Sequence, residues 1–433
     1  MQPRFAISII TFLLLVLSAT SQGTWEKLEV PATEHLRSVF FTDSLYGWAV
    51  GDTGTIIHTM DGGDSWMVQD PQTDNSIRSV FFLNRDTGWA VSWNFEGFFG
   101  TLLLKTNDGG VTWVQQQYQE DNIFMNCILF LDPLTGWMGG SPHAIVKTTD
   151  GGLSWSQAAV DTTPLAFFPV LEIKFYDENY GYASGGIFDI AGVTWSTSDG
   201  GETWQPIDNL DAPADEVHGL HIYDSITVIG AGGDPDFGYG VGMLRTDDGG
   251  TNWDYEELTM QGNAYDIDFR TKSEAWAPLG PREKLIYSLD AGMTWVEMPS
   301  PDSTAIFDMI FPDTLHGFAV GYDAAVLKYD PNPVGLWEPQ QHEIGFSIYP
   351  NPCKGWFRVK MQDARRKTQD ARPKTQDARG QKQVLRIYNI AGRKVKEINF
   401  EDNTVDVSWL PGGVYFIQLQ TRDWQGTRKL IVK

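Results

Sequence analysis

Along most of the chain, apolar positions alternate with small or polar ones in short runs, and each run ends in a cluster of Asp, Gly, Asn or Pro. That pattern predicts brief β-strands joined by tight turns rather than helices. The runs also recur. SVFFTDSLYGWAVG (38–51), SVFFLNRDTGWAVS (79–92) and CILFLDPLTGWMGG (127–140) each read as strand, turn and small-residue strand, and looser copies occur at 173–186, 221–233, 267–280 and 309–321. Seven such units are expected.

Downstream of six of these units lies a second motif: TMDGGDSW (59–66), TNDGGVTW (106–113), TTDGGLSW (148–155), TSDGGETW (197–204), TDDGGTNW (246–253) and SLDAGMTW (288–295). Its aspartates, Asp61, Asp108, Asp150, Asp199, Asp248 and Asp290, are spaced by 47, 42, 49, 49 and 42 residues. These periods suit a four-stranded propeller blade. The seventh unit, ending VLKYDPNP (326–333), lacks the glycine pair and tryptophan, whereas Gly23–Val30 (GTWEKLEV) matches the strand after each of the six boxes. The N-terminal strand is therefore expected to complete the last blade, placing Trp25 beside Tyr329 and removing an open sheet edge. The predicted fold is all-β: a seven-bladed β-propeller over 22–338, then a small β-sandwich over 339–433.

The six segments resemble the Asp-box, or neuraminidase-type, repeat S/T-x-D-x-G-x-T-W. The propeller as a whole, about 23–335, resembles the photosystem II assembly and stability factor family. Within such a box the aspartate can accept backbone N–H bonds, the glycine takes positive φ and the tryptophan packs between blades. The six aspartates thus read as structural fasteners. DGGDS lacks the alternating oxygen ligands and terminal glutamate of a calcium loop, so no metal is expected.

Composition narrows the chemistry. With 32 Lys and Arg against 56 Asp and Glu, the net charge is −24, which argues against nucleic-acid binding. Two cysteines, Cys127 and Cys353, without any C-x-x-C, supply neither a disulfide scaffold nor a zinc cluster. G-x-S-x-G, H-E-x-x-H and G-x-x-x-x-G-K are missing, so no catalytic residue and no cofactor are assigned. His218 and His221, three apart on one strand, are expected on opposite faces. Because Asp boxes occur in glycosidases, a secreted glycoside hydrolase or lyase is the alternative, with Asp234 and Asp236 of GGDPDF as the most suggestive acid pair.

Loop lengths point to a binding face. The hairpins at 92–100, 185–192 and 231–242 are longer than GDTG (51–54) and carry Trp93, Phe95, Phe98, Phe99, Phe188, Phe237 and Tyr239. Aligned residues at the head of each innermost strand, Arg37, Arg78, Asn126, Leu171, His218, Tyr265 and Phe307, should ring the channel mouth on the same face. Residues 22–344 hold 13 basic and 48 acidic residues, so two arginines here stand out. The expected ligand-binding set is Arg37, Arg78, Asn126, His218, Tyr265, Trp93, Phe237 and Tyr239, suited to an anionic or polar group of a protein or glycan partner.

Both ends speak of export. Arg4, the apolar run Phe5–Leu17 and the small residues Ser18–Ser21 form a secretory signal peptide over 1–21, and no second apolar stretch is long enough to span a membrane. From 345 to 433 the charge reverses to 18 basic against 8 acidic residues, in strands with turns at Asn389–Gly392 and Pro411–Gly413. YPNP, IYNIAGRKV, LPGGVYFIQL and KLIVK resemble the type A sorting domain of type IX secretion. That resemblance implies recognition by the secretion machinery, passage through the periplasm and across the outer membrane, and release or attachment at the cell surface. A tandem repeat, QDARRKT, QDARPKT and QDARGQK (362–382), interrupts it and reads as a solvated loop.

Overall fold

The computed structural model describes residues 23–97, 99–142, 145–160, 167–188, 190–207, 216–234, 239–331, 344–349, 352–363, 383–389, 393–400, 404–420 and 425–433. The signal segment, the tandem repeat from residue 364 on, Phe98, Asp236 and Phe237 lie outside these. The chain falls into two compact units, divided between Asn332 and Pro333.

In the first unit the described residues form seven sheets of antiparallel meander strands. Sheet one comprises Leu36–Phe41, Gly47–Gly51, Ile56–Thr59 and Met67–Gln69, and sheets two to six repeat the order down to Val296–Pro299. Sheet four gains a fifth strand, Ala159–Val160, parallel to Thr203–Ile207. Sheet seven is built from Ile306–Ile310, Phe318–Gly321, Val326–Asp330 and the N-terminal Thr24–Lys27, with Trp25 opposite Tyr329. The first strand of each sheet packs against the next sheet, and the seventh packs back on the first, closing a ring.

The apolar core sits between sheets because each strand alternates its side chains between two neighbours. One cluster joins Trp89, Val91 and Leu103 of sheet two to Met125, Phe130, Met138 and Trp155 around sheet three. Another, with Trp25, Trp276, Leu285, Ile306 and Tyr329, spans sheets six and seven. The box tryptophans belong to these inter-sheet layers: Trp113 meets Phe82 edge-on at 5.9 Å and Trp155 meets Phe130 at 6.0 Å.

Each box turn satisfies its own backbone. Thr106 Oγ1 donates to Asp108 and accepts the Gly110 N–H at 2.8 Å, while Asp108 accepts the Thr112 N–H at 2.8 Å and the Thr112 hydroxyl at 2.6 Å. The same bonds recur at Asp61, Asp150, Asp199, Asp248 and Asp290, where Asn252 replaces the hydroxyl residue in the fifth box. The turn demands positive φ: Gly109 and Gly110 lie at 72° and 87°, and Ala291 accepts 63° in the sixth box. The preceding sheet then grips the box carbonyl, as Lys105 Nζ does at Gly151 O (2.9 Å) and Lys147 Nζ at Gly200 O (2.8 Å).

The second unit consists of two sheets. One pairs Ile344–Tyr349, Trp356–Asp363 and Thr404–Asp406; the other is ordered Lys394–Phe400, Gln383–Asn389, Gly413–Gln420 and Gln425–Val432. Both contribute to one core, in which Phe357, Val359 and Val405 meet Leu385, Ile417, Leu419 and Leu430.

Candidate functional site

The mouth residues are placed by a repeated irregularity. In sheets one to five and seven, the first strand shifts register between Leu36 and Ser38, Ile77 and Ser79, Met125 and Cys127, Val170 and Glu172, Val217 and Gly219, and Ile306 and Asp308. The extra residue at each β-bulge is the one aligned from sequence: Arg37, Arg78, Asn126, Leu171, His218 and Phe307. A bulge re-aims a side chain without ending the strand, which is how a ring of strands presents a ring of side chains at its end. The bulge also corrects the expectation for the histidines. With His218 itself as the bulged residue, both histidines turn to the same neighbour: His218 lies 5.0 Å from the Tyr265 ring, and His221 bonds Asp268 at 3.0 Å.

The two arginines differ in state. Arg37 makes a bidentate pair with Asp52, at 2.5 Å and 2.7 Å, and Asp52 also accepts the Ser76 hydroxyl. Burial works against the Asp52 charge, but the bonds from Arg37 and Ser76 prevail and hold its carboxyl below the ordinary range. Arg78 instead lies over Trp93, 4.2 Å from the ring centre; it feels the Asp52 charge but makes no hydrogen bond among the described residues. Burial, then repulsion from Arg37, lowers its pKa to about 10, so it keeps its charge at neutral pH. Trp93 is a fixed platform: its Nε1–H donates to Met125 O at 2.7 Å, and Phe95 and Phe124 brace its edges.

Opposite, rings succeed one another around the mouth. His35 stacks on Tyr322 at 4.2 Å, Tyr322 on Phe307 at 4.4 Å, Phe307 meets Tyr265 at 4.8 Å, and Tyr265 meets His218. His218 faces Glu216 at 3.6 Å. Asn126 is committed to the neighbouring sheet through its amide, which donates to Val170 O at 2.9 Å. On the hairpins, Phe95, Phe99 and Tyr239 are about half exposed, at 54%, 49% and 56%. The structure thus gathers Arg37, Arg78, Trp93, Tyr265 and His218 at one end of the ring, and Tyr239 stands on the hairpin after sheet five's second strand. Asp52, His35 and Tyr322 escape sequence reasoning because they sit in turns at strand ends, where no repeat register points at them.

Below the mouth lies a second group that the sequence does not single out. Glu172 pairs with Lys174 at 2.7 Å and accepts the Leu220 N–H; Asp266 accepts the Met309 N–H at 2.9 Å, Asp268 the Phe311 N–H at 2.7 Å, and Asp308 the Val39 N–H at 2.8 Å. Each carboxylate therefore ties its own sheet to the next. Burial pushes Glu172 up to about 7 against the pull of Lys174. Burial and the adjacent Asp266 raise Asp308 well above its ordinary value, and burial raises Asp266 as well. Sheets one to three place Ser38, Ser79 and Cys127 at the equivalent positions, leaving that side of the channel uncharged.

A closed ring of radially packed four-stranded sheets with a side-chain-lined mouth defines a β-propeller. Its repeats match the photosynthesis system II assembly factor YCF48 family over residues 17–113 and 69–166, and residues 347–433 match the secretion system C-terminal sorting domain. Photosystem II assembly protein Ycf48 of Thermosynechococcus vestitus is 35% identical over 52 residues, which is 12% of this chain and only 15% of that protein's length. Among solved structures, YCF48 bound to D1 peptide aligns with 71% of this chain and 96% of its own at 22% identity and TM-score 0.57. The GH74 xyloglucanase of Xanthomonas campestris aligns with 79% of this chain and 60% of its own at 12% identity and TM-score 0.56. These structural likenesses establish the fold. The sorting domain marks the chain for export to the cell surface or beyond.

Proposed function

We propose that the exported propeller is a non-catalytic binding module that engages a protein or glycan partner at the channel mouth, through an anionic group held between Arg78 and the aromatic walls. The observation that carries this reading is Arg78: a charged guanidinium, half-buried on Trp93, whose hydrogen-bonding edge has no partner among the described residues while its neighbour Arg37 is neutralised. Guanidinium groups held this way suit planar anions. YCF48 and the xyloglucanase show by their names that similar propellers serve both peptide binding and glycan cleavage. Delivery outside the cell separates this chain from chlorophyll-protein assembly.

A hydrolytic role receives less support. The carboxylates of the channel group, Glu172, Asp266, Asp268 and Asp308, are each engaged by a backbone N–H of an adjacent sheet, and the partner of Asp234 in the alternative, Asp236, falls outside the described residues. The test is to present the purified full chain to glycan and peptide arrays and, in parallel, to assay reducing-end release from polysaccharides. Binding without release, weakened in Arg78→Gln, is the expected outcome. Release of sugars lost in Asp234→Ala would replace the binding reading with the enzymatic one.

A further inference from the structure

We infer that the anionic group is the carboxylate of one acidic sugar, of the uronic acid class, carried on an otherwise uncharged oligosaccharide; this rests on the reading of the mouth as the recognition site. The charge at the mouth sets the number of acids. Arg37 and Arg78 share one carboxylate, Asp52, whose hydrogen bonds go to Arg37, so one positive charge is left over and the Arg78 edge has geometry for one further carboxylate. Around it, residues 22–344 hold 48 acidic against 13 basic residues, a field that repels a polyanion but tolerates a single charge paired locally.

The main chain favours a sugar over a peptide. Extended peptides are commonly captured by adding a strand to an open sheet edge. Here the inner edges run down the channel, and the N–H groups of Val39, Leu220, Met309 and Phe311 are occupied by carboxylates of neighbouring sheets. Recognition at the mouth therefore falls to side chains. Those present are rings: the Tyr322, Phe307 and Tyr265 arc, with contacts of 4.4 Å and 4.8 Å, and the half-exposed Phe95 and Phe99 beside the Arg78 platform. Flat apolar faces next to tyrosine hydroxyls and a guanidinium match a pyranose, which offers C–H faces, equatorial hydroxyls and, in a uronic acid, one carboxylate.

The experiment is calorimetric titration of the full chain with paired oligosaccharides: neutral xylo-oligosaccharides, and the same chains bearing one glucuronic acid branch. The acidic member should bind at least about tenfold more tightly. Arg78→Gln should erase that preference, and Phe95→Ala with Phe99→Ala should weaken both members; thermal melting of each variant confirms that it folds. Equal binding of the pair, or a preference that survives Arg78→Gln, overturns the acidic sugar and leaves the mouth a binding site. Binding of short peptides with a free C-terminal carboxylate, lost in Arg78→Gln while no sugar binds, overturns the sugar but retains the recognition site. No binding of any sugar or peptide overturns both.

Discussion

The two ends of the propeller obey opposite rules. At the box end, six turns repeat one hydrogen-bond scheme, and the central aspartate of each, from Asp61 to Asp290, is used by its own turn. At the mouth, the bulge residue changes from sheet to sheet, from Arg37 and Arg78 to Asn126, Leu171, His218 and Phe307. Repetition at one end fixes the backbone, and that fixed backbone lets the other end vary its side chains at no structural risk. The contrast teaches that stability and recognition are separated along each strand rather than between domains.

The sharpest challenge to this division is at the seam. Trp25 is buried at 6% exposure and packs on Trp276, Phe311 and Tyr329. Trp25→Ala should cost about 3–5 kcal/mol, read as a fall in the denaturant midpoint; no fall would mean the N-terminal strand does not hold the ring. Next in size is Thr106→Val. It leaves the buried Gly110 N–H without its acceptor and should cost about 1–3 kcal/mol, and an unchanged melting temperature would show that the box is no fastener.

A smaller, pH-dependent effect is expected at Asp308→Asn. Asn mimics the protonated acid, since its amide can donate to Asp266 while its oxygen accepts the Val39 N–H. The folded pKa of Asp308 is raised, so its contribution is full at low pH and is lost as pH rises from the ordinary carboxylate range through the folded value. The melting temperature of the variant relative to the parent should therefore rise as pH is raised above the ordinary carboxylate value of about 4. A constant difference would show that Asp308 is ionised in the folded state. The smallest effect on stability belongs to Arg78→Gln, about 0.5–1 kcal/mol, since it breaks no hydrogen bond and loses only the charge over Trp93. A large loss there would make Arg78 a fastener and blur the distinction between the two ends.

The box end is legible in the sequence because its residues are dictated by turn geometry: positive φ calls for glycine, and orphan N–H groups call for Asp and Thr. The pairing of Trp25 with Tyr329 comes from the same regularity, as the missing strand has to be supplied from elsewhere. The mouth is legible only in register. Alignment finds Arg78 but does not distinguish it from Arg37, because the acid that neutralises Arg37 sits in a turn 15 residues away. The bulges leave no mark in the alternation, which is why the two histidines are expected on opposite faces. Glu172, Asp266 and Asp308 look like ordinary surface acids in a chain with 56 acidic residues; the one clue is that Glu172 and Asp308 align with Ser38, Ser79 and Cys127, one residue past each bulge.

The pairing of Thr24–Lys27 with Val326–Asp330 sets a timetable as well as a shape. Its two strands are about as far apart in sequence as the first unit allows, and contacts of such long range are slow to form. No closed ring can form before residue 330 has been made, and until then the strand Thr24–Lys27 lacks its partner. Ring closure therefore joins the first and last strands of the unit, and whatever holds either of them apart holds the ring open.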